Sequence, residues 1–147
     1  TEQAAPGISR GFLEKSMEKL RRIMIGEKTY PFKIDLNVLE MVQEKYGSVK
    51  AFERELFGWR YRKDEEGNQL YTADGVPMIY IVEPSVAAVK LILPAAVMEG
   101  LQIEADEHNR QMEEITEDYI LHNCNVPYMD LCVMLQEEFS RCFATKK

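Results

Sequence analysis

The chain has 147 residues, 46% of them apolar and 29% charged, with a net charge of −7. That length suits one domain burying roughly 70% of its unfolded surface, and so much apolar content excludes a chain too polar to form a core. An acidic chain whose basic residues are spread along amphipathic segments is also a poor partner for nucleic acid.

The charge is uneven. Residues 1–63 carry 13 Lys/Arg against 9 Asp/Glu, whereas residues 64–147 carry only 5 against 16. Halves of opposite sign allow head-to-tail association of copies, or can face each other within one fold; the weakness of exposed ion pairs favours the second. No uninterrupted apolar run approaches the ~20 residues that span a bilayer, so no membrane-spanning helix is expected. Residues 1–10 lack the apolar stretch of a signal peptide. The odd set Cys124, Cys132 and Cys142 suits free thiols in a reducing compartment. The expected location is the cytoplasm.

In chain order, residues 1–8 read as a tail and 9–20 as a helix capped by Ser9 and striped by Phe12, Leu13, Met17 and Leu20. Residues 21–25 and 29–34 alternate as strands around Gly26-Glu27-Lys28, which predicts a hairpin, with Pro31 at an edge. From Leu36 the period becomes helical. Leu36, Leu39, Val42 and Tyr46 form a stripe ended by Gly47, and Ser48 caps a second helix with Val49, Phe52 and Leu56 inward. Gly58 closes it, so residues 21–58 form a hairpin plus two helices meeting at a corner.

Residues 59–82 are strand-prone, with turn chemistry at Glu66-Gly67-Asn68 and Asp74-Gly75; they read as a small β-meander or an arm, and the sequence leaves both open. Glu83-Pro84-Ser85 then starts a helix. Residues 86–97 are apolar almost all round, which predicts a central helix buried on every side, kinked or divided by Pro94 and broken at Gly100. Residues 104–118 hold seven acids and one base, with Met112, Ile115 and Tyr119 as a narrow apolar stripe. Val126-Pro127 opens a last helix striped by Tyr128, Leu131, Cys132, Leu135, Phe139, Cys142 and Phe143. No internal repeat is evident. The expected fold is a single α+β domain over 1–147, mostly α. An N-terminal β-hairpin precedes a helical domain with a central buried helix, a β-rich insertion at 59–82, and C-terminal helices over 83–147.

Candidate chemistry is sparse. Gly7-Ile8-Ser9-Arg10-Gly11 matches the G-x-S-x-G nucleophile elbow, but no strand precedes it to present the serine, and helix capping accounts for Ser9. His122-Asn123-Cys124 lacks the paired ligand spacing of structural zinc, and His108 lacks a second Glu-x-x-His unit. Glu113/Glu117 and Glu114/Asp118 are i,i+4 acid pairs. They could do acid–base work only if apolar walls raised one pKa; a solvated helix face, or an acidic docking surface for a basic partner, is the plainer reading. No phosphate-binding or metalloprotease motif is present. The expectation is therefore no catalytic residues, no cofactor and no metal. Aromatic and Met side chains are enriched where proteins grip one another. Trp59, Tyr61, Tyr71 and Tyr80, together with Met112, Ile115 and Tyr119, are the candidate partner-binding residues, with core packing as the alternative.

The run Ile23-Met24-Ile25-Gly26-Glu27-Lys28-Thr29-Tyr30-Pro31-Phe32-Lys33-Ile34-Asp35-Leu36-Asn37-Val38-Leu39, continued by Val42-Gln43-Glu44-Lys45-Tyr46-Gly47-Ser48, resembles the opening of tail assembly chaperones from long-tailed bacteriophages and prophages. Glu83-Pro84-Ser85 and Glu138-Phe139-Ser140-Arg141-Cys142-Phe143 are similar to members from Gram-positive prophages. The likeness covers roughly residues 21–58 and 83–143. It implies a non-enzymatic helical protein that coats and solubilises the long tape-measure protein during tail assembly, and that associates with itself in rings or helical stacks. The 9–20 helix lies upstream of the family's usual first strand, and 59–82 is inserted within the pattern. Two other readings stay open: a minor structural component of a phage or prophage tail, and a small acidic enzyme using the paired carboxylates.

Overall fold

The computed structural model describes residues 19–144. The expected 9–20 helix and the Gly7–Gly11 motif lie outside the described residues, except that Lys19 and Leu20 are described and are not helical.

Alternation in the first segment gives the antiparallel hairpin β1 (Arg21–Ile25) and β2 (Lys28–Phe32). Ile23, Ile25, Tyr30 and Phe32 share one buried face, while Met24 and Thr29, paired opposite each other, point outward. Gly26 (φ +67°) takes the first of two turn positions, where a positive φ suits the twist of a hairpin. Its N–H donates to the Asn123 carbonyl (2.8 Å) and ties the turn to the C-terminal half.

Two helices follow, α1 (Leu36–Tyr46) and α2 (Val49–Phe57). Asp35 caps the first through its carboxylate, and Ser48 caps the second by accepting from the Ala51 N–H (3.0 Å). Gly47 between them adopts φ +88°, which turns the chain into a helical corner. The expected stripe of α1 holds at Val42, which is buried, and at Leu39 and Tyr46, which pack against the core, but not at Leu36. Leu36 is 81% exposed, and Val38 joins the inward face that was not expected to include it. With Asp35 as the cap, Leu36 is the first helical residue, at the edge of the fold where no element covers it, and the inward face begins at Val38 and Leu39.

The central helix α3 (Val86–Glu107) is longer than expected. Ser85 caps it, and Pro84 stands just outside, where its carbonyl accepts from the Tyr128 hydroxyl (2.9 Å). Burial pushes that hydroxyl up to about 12, so it keeps its proton as donor. Pro94 does not divide the helix. The carbonyl it leaves without an amide partner is that of Lys90, an exposed position where solvent can take the bond. Nor is the helix buried all round, since Val86, Ala87 and Lys90 are exposed. Gly100 is not a break but a contact point. A methyl group there would come within 2.5 Å of the Pro31 carbonyl oxygen and 2.8 Å of the Phe32 nitrogen. The Lys33 N–H reaches the Ala96 carbonyl (3.0 Å) along the same seam. By length and mean hydropathy (1.6), α3 is long and apolar enough to cross a membrane, which a search for uninterrupted runs passes over because Lys90 and Glu99 interrupt it. Half of that window is buried inside the fold, the position of a core helix.

After Glu107 the chain turns at Asn109 (φ +54°) and is not helical again until α4 (Glu117–Asn123). The last helix, α5 (Tyr128–Arg141), packs Leu131, Cys132, Leu135 and Phe139 inward. Phe139 closes on Phe52, Phe57 and Phe143 at 5.2–6.1 Å between ring centroids, joining α5 to the helical corner. One polar side chain is buried with them. Glu138, 2% exposed, accepts from the Ile34 N–H (2.9 Å) and from Arg141 Nη2 (2.7 Å), while Arg141 donates to the Ile34 carbonyl (2.6 Å). Both backbone groups of Ile34 are thereby satisfied from α5. Among the described residues, these elements make a mostly helical α+β fold with five helices and two two-stranded sheets.

The carboxyl of Glu99 is sensitive to pH. Glu99 lies beside Asp35 and accepts from the Asn37 side chain (2.9 Å); its carboxyl is held above the ordinary 4.5, first by the hydrogen bond with Asp35 and then by burial. A raised folded-state value means the folded protein holds this proton more tightly than the unfolded chain does. The stabilisation is complete below 4.5 and is lost as pH rises through the raised value. Glu99→Gln is expected to flatten that segment of the stability–pH curve. Urea midpoints measured across it check this, and an unchanged slope would remove Glu99 from the account.

Candidate functional site

The segment left open between meander and arm is an ordered arm built on a short ribbon. Strands β3 (Trp59–Tyr61) and β4 (Ile79–Ile81) pair antiparallel, with Trp59 opposite Ile81 and Tyr61 opposite Ile79. Direct cross-strand partners share a face, so Trp59, Tyr61, Ile79 and Ile81 line one side of the ribbon. The Trp59 and Tyr61 rings meet edge-on at 5.0 Å. Ile79 and Ile81 are 45% and 77% exposed, so this face is not covered by the body. The opposite face carries Arg60 and Tyr80, with the Arg62 guanidinium over the Tyr80 ring (5.9 Å). The arm is rooted where the Val82 N–H donates to the Gly58 carbonyl (2.8 Å) and the Ser85 N–H to that of Glu55 (2.9 Å).

Beyond the ribbon the chain folds into two consecutive eight-residue units. In the first, the Gly67 N–H bonds to the Asp64 carbonyl and the Asn68 N–H to Asp64 Oδ1; eight residues later, Gly75 bonds to Thr72 and Val76 to Thr72 Oγ1. The sequence shows no obvious repeat because the units share bonding roles and glycine spacing rather than residues. They close into a ring of backbone bonds: Arg62 N–H to Met78 C=O (2.8 Å), Met78 N–H to Leu70 C=O (2.9 Å), and Leu70 N–H to Arg62 C=O (3.0 Å). The Gln69 side-chain amide sits at its centre and donates to all three carbonyls at 3.1–3.4 Å. Gln69→Ala is expected to speed amide exchange at Arg62, Leu70 and Met78 while the core helices keep their protection. Residue-resolved exchange by NMR reads this, and unaltered rates would show the ring closes without its hub.

The seven candidate residues fall into two groups. Trp59, Tyr61, Tyr71 and Tyr80 all lie on the arm, with Tyr71 57% exposed on the second unit and Tyr80 44% exposed. Met112 and Ile115 are half-buried against the core and pin the irregular link before α4, so core packing takes much of their surface. Tyr119 on α4, 41% exposed, lies over the hairpin turn beside Gly26. It lines two adjacent open clefts with Tyr30: one of about 360 Å³ reaching Ile115 and Thr116, the other of about 590 Å³ reaching Lys28, Glu113 and Asn125. In the second, Lys28 Nζ is 3.0 Å from Glu113 and lies over the Tyr30 ring at 5.1 Å. Its pKa is raised mainly by its bond to Glu113, so the cleft's lysine is already partnered.

The paired-acid geometry is not formed. Residues 113 and 114 precede α4 in irregular chain, so they do not share a helical face with Glu117 and Asp118, and all four are exposed. Burial raises the pKa of Cys124, Cys132 and Cys142, which disfavours the thiolate that metal binding and nucleophilic attack require. Among the described residues, no group of three or more His, Cys, Asp or Glu is placed to hold a metal ion.

Reading from sequence missed Ile79, Ile81 and Arg62 as members of the arm surface. Their signal was the matched period-two pairs Trp59-x-Tyr61 and Ile79-x-Ile81 on either side of turn residues. Compared with known proteins, the chain matches no family model, no curated protein and no solved structure.

Proposed function

We propose that this chain is a non-enzymatic tail assembly chaperone of the long-tailed phage or prophage type, acting in the bacterial cytoplasm. It binds and solubilises the tape-measure protein during tail morphogenesis and associates with copies of itself. The observation that carries this reading is residues 23–48, whose sequence resembles the opening of that family and whose fold is a hairpin leading into a helical corner. The arm supports it by holding aromatic and aliphatic side chains in solvent, the kind of surface that covers another protein's apolar faces. Co-expression with the tape-measure protein tests it: that protein is expected to move into the soluble fraction and co-purify with this chain. Equal insolubility with and without this chain would refute the reading. Mass spectrometry of finished particles separates a chaperone, expected to be absent, from a minor tail component.

A further inference from the structure

We infer that the cleft between the hairpin and α4 receives a lysine or arginine side chain from a basic segment of a partner protein, beside Tyr30, Tyr119 and the Glu114 carboxylate. This does not rest on the chaperone reading, and it concerns a different surface from the arm.

The class of ligand is read from the neighbouring cleft, where an ammonium is already seated. Lys28 Nζ stands 5.1 Å from the centre of the Tyr30 ring and 3.0 Å from Glu113. A cation over an aromatic face gains from the ring and from the carboxylate at once. The Tyr30 hydroxyl lies 3.4 Å from Glu113, so ring and carboxylate are set together. The other cleft, of about 360 Å³, shares both tyrosines and is lined by Glu114 where its neighbour has Glu113. Among the described residues, Glu114, Glu117 and Asp118 form no ion pair, whereas Arg22 and Arg110 are both engaged by Glu104, and Lys28 by Glu113. One cleft thus has its cation from this chain, and the other offers the same kinds of group with an unpaired carboxylate.

The walls are fixed before a ligand arrives. Tyr30 is 5% exposed and is held opposite Ile23 by the hairpin register. Tyr119 stands in the first turn of α4, where its N–H donates to the Thr116 hydroxyl (3.0 Å). The bond from the Gly26 N–H to the Asn123 carbonyl joins the two elements. Little conformational freedom is then lost when a side chain enters.

A protein segment, rather than a free amine, is the source because the negative charge continues past the cleft. A single exposed ion pair is weak, so a lone amine gains little there. A segment with several basic side chains can meet Glu114 together with Glu117 and Asp118, which are exposed on the adjoining turn of α4. Linked contacts of this kind reinforce one another.

The test titrates the isotope-labelled full chain with a blocked peptide of alternating alanine and lysine, and follows amide shifts by NMR. Shifts are expected to concentrate at residues 114–119 and at Tyr30, to fade as salt is added, and to vanish when the lysines of the peptide are acetylated. Glu114→Gln and Tyr119→Leu each alter an exposed side chain. Together they are expected to weaken the peptide about tenfold, the combined loss of an exposed ion pair and a cation–π contact. Glu44→Gln removes the same charge from the exposed face of α1 and is expected to leave the affinity within about twofold. Absence of binding, equal losses from Glu44→Gln and Glu114→Gln, or shifts spread over every acidic segment would each overturn the inference. Butylammonium, a lysine side chain without its peptide, is expected to bind at least about tenfold more weakly, and equal affinity would overturn the assignment to a protein segment. The probe is a defined peptide, so the outcome does not depend on the tape-measure protein, and either reading can fail alone.

Discussion

Replacing Glu138 with alanine is expected to destabilise the fold by about 3–5 kcal/mol, the range for breaking a buried ion pair by removing one partner. The carboxylate accepts from a buried backbone amide and from a guanidinium together. Its loss leaves the Ile34 N–H without that acceptor and removes the carboxylate that Arg141 pairs with at 2.7 Å. Glu138→Gln retains an acceptor for Ile34 and removes only the charge, so it is expected to lose less, about 1–3 kcal/mol. Urea unfolding followed by circular dichroism distinguishes the cases. If alanine were tolerated at under about 1 kcal/mol, the fastening of α5 to the hairpin would be incidental.

Gly100→Ala is expected to destabilise by about 1–3 kcal/mol, the range for overpacking. The sign is informative, because alanine is favoured over glycine inside a helix by about 1 kcal/mol. At Gly100 that preference is outweighed by a methyl group directed at the backbone of Pro31 and Phe32, which cannot rotate aside as a flexible side chain could. Pro31 does not donate a ladder bond at this point, so β2 lies against α3 without an unsatisfied N–H. A variant that melts higher than the parent would show that α3 and β2 separate easily.

These two positions also mark where sequence reasoning stopped. The hairpin, the corner at Gly47-Ser48 and the last helix were legible because their signals are local: alternation, a capping hydroxyl and a glycine free to take a positive φ. Gly100 carries the same letter as Gly47 but has the opposite role. What decides between punctuation and close packing is a strand nearly 70 residues away, which no local rule sees. Leu36 was misassigned because periodicity alone does not tell whether the first residue of a helix is reached by the core. The Asp35 cap starts the helix where nothing covers Leu36, while Leu39, Val42 and Tyr46 of the same stripe pack inward. The 104–118 stretch read as a solvated acidic helix face with Met112, Ile115 and Tyr119 as a narrow apolar stripe, because that spacing is helical on paper, yet the turn at Asn109 ends the helix.

The arm was half legible. Its aromatics and turns could be seen, but the shared face needs the register between β3 and β4, and the bonding repeat needs the folded backbone. Glu138 was hidden by its neighbours. In Gln136-Glu137-Glu138-Phe139 an acid on an amphipathic helix reads as solvated, and only the fold reveals that one of the two faces inward.

The tie between Ile34 and Glu138 also bears on how the molecule is made. The amide and its carboxylate are 104 residues apart, and the hairpin emerges from the ribosome long before the helix that completes it. Contacts of such sequence separation form late and slow the overall reaction. During synthesis the exit of β2 has to wait, with its hydrogen-bonding groups open to water, until the final helix arrives. A nascent chain halted before residue 138 would therefore hold the hairpin without the bolt that locks it.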